Sequence, residues 1–140
     1  MRKLASLIIF GVFIIALVGS ESDEEKAEND KNVAESTATM TVSAVTLLAD
    51  YEANELAFEG KYVDKVLVVT GTINDVGRAL GSLSVSFKAG EDTLKQVVAY
   101  FSESQKSALA KLNKDEAVKV KCRCNGVSLG VVMLSNCSVQ

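Results

Sequence analysis

Hydrophobic and polar positions divide this chain into three stretches. Leu4 to Val18 is almost unbroken apolar sequence, with no group more polar than Ser6. Between Glu21 and Thr39 aromatics are absent and Val33 is the one large aliphatic residue. From Met40 to Gln140 the apolar positions recur with a period that switches along the chain. Val45, Leu48, Tyr51, Glu55, Phe58 and Tyr62 step by three and four, and Leu47, Ala53, Leu56 and Ala57 widen that stripe. This spacing predicts one helix over Ser43–Tyr62, capped by the Ser43 hydroxyl, with Gly60 as a break near its end and Asp50, Glu52 and Glu59 toward the outside.

The period then becomes that of strands. Lys65 to Ile73 is a dense β-branched and aliphatic run. Gly71 within it predicts a bulge or a bend. Asn74 to Gly77 and Leu80-Gly81 read as turns. Leu83, Val85 and Phe87 alternate with Ser82, Ser84, Ser86 and Lys88, the pattern of a half-buried strand. Gln96–Phe101 is a third strand, and Ser102–Leu112 a second helix with Leu109 and Leu112 inward. Ala117–Cys124 is a fourth strand, Asn125-Gly126 a turn, and Val131–Val139 a fifth strand. The predicted class is mainly β (α+β): a five-stranded OB-fold barrel with an N-terminal helix and a helix between strands three and four. The exposed face of strands two and three would carry Ser84, Ser86, Lys88, Gln96, Val98 and Tyr100.

The apolar run at the N-terminus follows Met1-Arg2-Lys3 and is shorter than the roughly 20 residues of a comfortable membrane span. It has the length of a secretory signal, and Gly19-Ser20 provides small residues for cleavage after Ser20. Leu17-Val18-Gly19-Ser20 is similar to a bacterial lipoprotein box in which Ser replaces the lipidated Cys. Residues 1–20 therefore read as a signal peptide or signal anchor, residues 21–39 as an acidic disordered linker, and residues 40–140 as the folded domain. The protein is expected to be exported: periplasmic, extracellular, or membrane-anchored if the segment is retained.

Charge changes the functional picture. Of 18 acidic and 15 basic residues, seven acids (Glu21, Asp23, Glu24, Glu25, Glu28, Asp30 and Glu35) fall in the linker, against Lys26 and Lys31. The domain holds 11 of each sign and is neutral. A neutral domain gives little support to polyanion binding. The chain has no His, which removes the commonest general base and zinc ligand and any Ser-His-Asp or Cys-His arrangement. No paired-carboxylate motif or phosphate-cradling loop appears. The expectation is a protein that is not an enzyme, with no cofactor and no metal.

Cys122, Cys124 and Cys137 lie near the C-terminus, on strands four and five. In an exported protein the simplest pairing is Cys124–Cys137, with Cys122–Cys137 the alternative that a small change of register would give. Such a bond is worth about 3 kcal/mol in the chain-entropy model. A three-thiolate metal site would lack a fourth ligand. Tyr51, Asn54, Glu55 and Tyr62 form the most distinctive polar-aromatic group, either a small binding patch or a set that fixes the helix to the barrel. Lys119, Lys121 and Arg123 alternate on one face of strand four, as a ligand contact or as a solvated face.

Tyr51-x-x-Asn54-Glu55-x-Ala57, Tyr62-x-x-Lys65, Val69-Thr70-Gly71-x-Ile73, Val118-x-Val120-x-Cys122-x-Cys124-x-Gly126 and Leu134-x-x-Cys137 together resemble the tRNA_anti-like family. The resemblance covers about Val45 to Val139. It implies a small OB-fold domain, often behind a signal peptide or lipoprotein box, and carries no settled activity. The combined reading is a non-catalytic binding module of the bacterial cell envelope, with a protein, peptide or glycan partner. Single-stranded nucleic acid is the alternative.

Overall fold

The structure, a computed structural model, describes residues 36–90 and 95–140 together with Val33. The leader reading for residues 1–20 and most of the linker lie outside the described residues. The elements run β1 (Met40–Ser43), α1 (Ala44–Ala53), α2 (Glu55–Tyr62), β2 (Val66–Ala79), β3 (Ser82–Phe87), β4 (Gln96–Phe101), a 3-10 turn (Glu103–Gln105), α3 (Lys106–Leu109), β5 (Ala117–Ser128) and β6 (Val131–Val139).

β2, β3, β4, β6 and β5 follow one another around a ring that closes through the β2–β5 pairing. β4 and β6 are parallel, whereas β2–β3, β3–β4, β5–β6 and β2–β5 are antiparallel. This closed five-stranded ring, with its helical excursion between the third and fourth ring strands, is the OB architecture expected from the sequence. A sixth strand, β1, lies outside the ring, parallel to the first half of β2 from Met40↔Leu67 to Ser43↔Thr70. Four residues were too few for a period to announce it.

The ring is filled by inward residues. Leu67, Val69 and Ile73 of β2 meet Val85 and Phe87 of β3, Val97 and Ala99 of β4, Val120 of β5, and Val132 and Leu134 of β6, all buried. Each such side chain contributes roughly 1.5–3 kcal/mol when fully withdrawn from water. Gly71 is part of this packing: a Cβ there would stand 2.7 Å from Phe87 Cδ1 and 3.2 Å from Ala44 Cβ. Its role is space, while the register irregularity of β2 lies further on, between Ile73 and Asp75. That bulge absorbs Asn74 to Gly77, so this polar group lies within the strand and makes no turn.

Helices occupy the two ends of the barrel. α2 leads straight into β2, and Leu47 and Leu48 of α1 join Phe58 and Tyr62 of α2 in the core. The expected single helix is in fact two. Ser43 Oγ caps α1 by accepting from Thr46 N–H at 3.0 Å, as expected. Asn54 breaks the run by adopting φ −164°, and its Oδ1 accepts from Ala57 N–H at 3.0 Å to start α2. Gly60 lies inside α2, and Val45 points outward with 56% of its surface exposed. At the other end the expected helix shrinks to the 3-10 turn and one turn of α3, which still buries Leu109.

Both two-residue hairpins, Leu80-Gly81 and Leu129-Gly130, have positive φ at both residues. This is the type I′ geometry that matches strand twist. The second hairpin corrects the expected turn at Asn125-Gly126. Gly126 (φ 105°) instead belongs to a bulge, and β5 runs on to Ser128.

Candidate binding faces

Tyr51, Asn54, Glu55 and Tyr62 divide into a buried or half-buried aromatic pair and an exposed polar pair. Tyr62 is 1% exposed, and its hydroxyl donates to Asp50 Oδ2 at 2.5 Å. Lys61 Nζ lies 3.6 Å from the same carboxylate and 5.2 Å from the Tyr62 ring centroid. Burial, and then the bond to Asp50, push the Tyr62 phenol above its ordinary pKa. Phe58 sits between Tyr51, in edge contact at 5.9 Å, and Tyr62 at 5.1 Å. Asn54 and Glu55 are exposed and serve the start of α2, where a carboxylate complements the free N–H groups. Asp50, placed toward the outside by helical spacing, is the partner that sequence reasoning missed. It lies twelve residues before Tyr62, and only the break at Asn54 folds it back. Tyr51 and Tyr62 thus pack α1 and α2 together through Phe58, while Asn54 and Glu55 serve the start of α2. A hollow of about 200 Å³ between α1 and α2 is lined by Asp50, Ala53, Asn54, Ala57, Phe58 and Lys61.

The disulfide joins Cys122 and Cys137, and Cys124 is free and buried. This corrects the expected Cys124–Cys137 bond in favour of its alternative. Two bulges decide the register. β5 and β6 pair Lys121 with Ser138 and then Arg123 with Ser135, so β6 carries an extra residue, and Asn136 takes φ 54°. Cys122 thus faces Cys137 across 4.2 Å of Cα separation, while Cys124 faces Leu134. Burial pushes the Cys124 thiol above its ordinary pKa, which keeps it protonated and unreactive.

Lys119, Lys121 and Arg123 do share the outer face of β5. They stand opposite Thr70, Val68 and Val66 of β2, and Lys121 and Arg123 face Ser138 and Ser135 of β6. Arg123 Nη1 donates to the Asp64 carbonyl at 2.9 Å, which holds its guanidinium beside the start of β2.

A second outer face lies on β3 and β4, where Ser84 pairs with Tyr100 and Ser86 with Val98. Val98 in turn lies beside Met133 of β6. Ser84 and Val98 are each only 7% exposed despite facing outward, so this surface is recessed along its middle. Gln96, Ser86 and Tyr100 are partly exposed around it, and no charged side chain occupies these positions. Lys88, expected here, turns to an ion pair with Asp115 that holds the carboxyl below its ordinary pKa. At the barrel end, a shallow apolar cleft of about 270 Å³ opens between Val76, Leu83 and Leu109, with Arg78 and Lys106 at its rim. Arg78 is bound to Glu103 at 2.7 Å. Among the described residues no helix is long and apolar enough to cross a membrane.

Comparison with known proteins agrees with this architecture. A solved structure from Klebsiella pneumoniae subsp. pneumoniae MGH 78578, described as a candidate nucleic acid-binding lipoprotein, superposes with a TM-score of 0.59. The match is 19% identical and covers 73% of this chain and 92% of that one, a likeness of fold. No curated protein matches the chain. The profile of the tRNA_anti-like family matches residues 1–138. With the ring topology, the recessed face and that match together, the chain belongs to the tRNA_anti-like family, and its folded part is an OB-type binding module.

Proposed function

We propose that this protein is a non-catalytic binding module of the bacterial cell envelope that takes an uncharged chain, a peptide or glycan strand, on the outer face of β3 and β4. The observation that carries the reading is the recessed, uncharged surface of Ser84, Ser86, Val98, Tyr100 and Gln96. Such a surface offers hydroxyls, an amide and one aromatic ring, the groups that read neutral polymers through hydrogen bonds and stacking. The Cys122–Cys137 bond supports an oxidising compartment, in keeping with residues 1–20 as an export signal and 21–39 as a spacer. Cys124, buried and protonated, offers no nucleophile.

A second reading, single-stranded nucleic acid, draws on the Lys119, Lys121 and Arg123 row. One titration separates the two. Backbone amide shifts of the full chain in nonionic detergent are followed against a soluble peptidoglycan fragment and against a twelve-residue oligothymidylate. Shifts at Ser84, Ser86, Val98 and Tyr100 with the fragment are expected. Salt-sensitive shifts at Lys119 to Arg123 with the oligonucleotide alone would replace the first reading by the second.

A further inference from the structure

We propose that the apolar cleft at the barrel end, between β2, β3 and α3, binds a medium-length alkyl carboxylate, a free fatty acid, with its chain in the cleft and its head group at Lys106. Val76 and Leu83 form one wall and Leu109 and Ala110 the other, around a space of about 270 Å³. A water molecule's share of liquid volume is about 30 Å³, so the space holds roughly nine non-hydrogen atoms. Leu83 and Leu109 are 7% and 3% exposed, and the wall they form is aliphatic. Such a wall favours methylene groups, because each one that enters leaves water together with the surface it covers.

The rim decides the charge of the head group. Arg78 Nη1 and Nη2 both donate to the Glu103 carboxylate, at 2.7 and 3.3 Å, so this pair is neutral. Lys106 lies exposed on the same rim, and among the described residues no carboxylate pairs with it. The rim therefore carries one positive charge in excess, which complements a carboxylate and disfavours an amine. The walls in turn favour an alkyl chain over a peptide. Val76 and Arg78 pair with Val85 and Leu83 in the ladder. The carbonyls of Lys106, Ala108 and Leu109 accept from Ala110, Lys111 and Leu112 within the turn of α3. Backbone groups engaged in this way leave buried amides of a peptide without partners, whereas an alkyl chain asks for none. The cleft shares no residue with the outer face of Ser84, Ser86, Val98, Tyr100 and Gln96, so this site stands apart from the one proposed for a polymer.

The test is a methyl-resolved NMR titration of the full chain in digitonin, a nonionic steroidal detergent with no alkyl tail to fill the cleft. The probes are octanoate, octanamide and octylammonium, which have the same chain length and different heads. Octanoate should shift the methyls of Val76, Leu83 and Leu109 saturably. It should bind about two- to fivefold more tightly than octanamide, the contribution of an exposed ion pair, and octylammonium should bind most weakly. Lys106→Gln should erase the preference for octanoate and leave octanamide unchanged. Ala110→Trp, which fills the cleft from its exposed rim, should abolish the shifts at those methyls while the rest of the spectrum reports an intact fold. Equal affinity for the three probes would make the cleft a nonspecific apolar surface and overturn the proposal. So would the absence of octanoate shifts into the millimolar range, a preference for octanoate that survives Lys106→Gln, or undiminished binding by Ala110→Trp. Tighter binding of a tripeptide ending in leucine than of octanoate would also overturn it, and would assign the cleft to a peptide terminus.

Discussion

Two outer faces of one barrel differ in almost everything except the backbone beneath them. On β3 and β4 the outward residues are Ser84, Ser86, Val98 and Tyr100, recessed and uncharged. On β5 they are Lys119, Lys121 and Arg123, on a strand whose inner side carries Val120, Cys122 and Cys124. Both faces rest on the same filled interior, so the period-two alternation leaves the outward side chains free to differ without cost to the fold. The buried core lies inside the ring, so substitutions on the two sides should differ in their effect on stability.

The largest effect should come from Gly71, because the contact it allows with Phe87 underlies both faces. Gly71→Val forces side-chain or backbone displacement and, with a Cβ already in clash and two methyl groups beyond it, should cost more than about 3 kcal/mol. Thermal unfolding measures the loss, and amide exchange should quicken on β3 and β5 alike. Cys122→Ser should come next, losing about 3 kcal/mol with the 15-residue separation the bond spans. Its exchange should quicken in β5 and β6 before β3 and β4, which would tie the cationic face specifically to the disulfide. Cys124→Ala should cost less than Cys122→Ser, since it removes a buried thiol without opening a cross-link.

Tyr62→Phe should cost about 1 kcal/mol through the lost bond to Asp50. It also has a pH signature. The folded-state pKa of Tyr62 lies above its unfolded value near 10.0, so the folded state holds its proton longer. Stability from this group is complete below pH 10 and falls as pH rises through the folded pKa, and the decline should flatten in Tyr62→Phe. Melting curves between pH 8 and 11 check the sign. The smallest effects lie at the hairpin tips. Leu80 and Leu129 hold φ of 53° and 51° with 85% and 96% of their surface exposed. Replacing either by Asn, which accepts that conformation, should stabilise by up to about 1 kcal/mol. Lys121→Gln should leave stability within about 0.5 kcal/mol, as read by thermal unfolding.

The ring strands were legible because alternation at Leu83, Val85 and Phe87, and the dense run from Val66 to Ile73, report burial directly. What escaped was decided by tertiary pairing. Asn74 to Gly77 and Asn125-Gly126 carry turn chemistry that two bulges accommodate inside strands, and the second bulge helps move the hairpin to Leu129-Gly130. The Asn136 bulge on β6 brings Cys137 opposite Cys122 and leaves Cys124 facing Leu134, a choice that spacing alone left open. Asn54 breaks the helix because its side chain competes for a backbone N–H, and the apolar stripe runs through it unmarked. The cationic row could be read from alternation, whereas the recess at Ser84 and Val98 could not, because it depends on what surrounds those small residues.

The central claim is a barrel closed in an oxidising compartment around one disulfide. Its most direct test is the intact mass and cysteine map of the protein taken from its own cells without reductant. The account predicts one bond between Cys122 and Cys137, a gain of two hydrogens on reduction, and a Cys124 thiol that reacts only after denaturation. Three free thiols in the native protein, or a bond that includes Cys124, would contradict it.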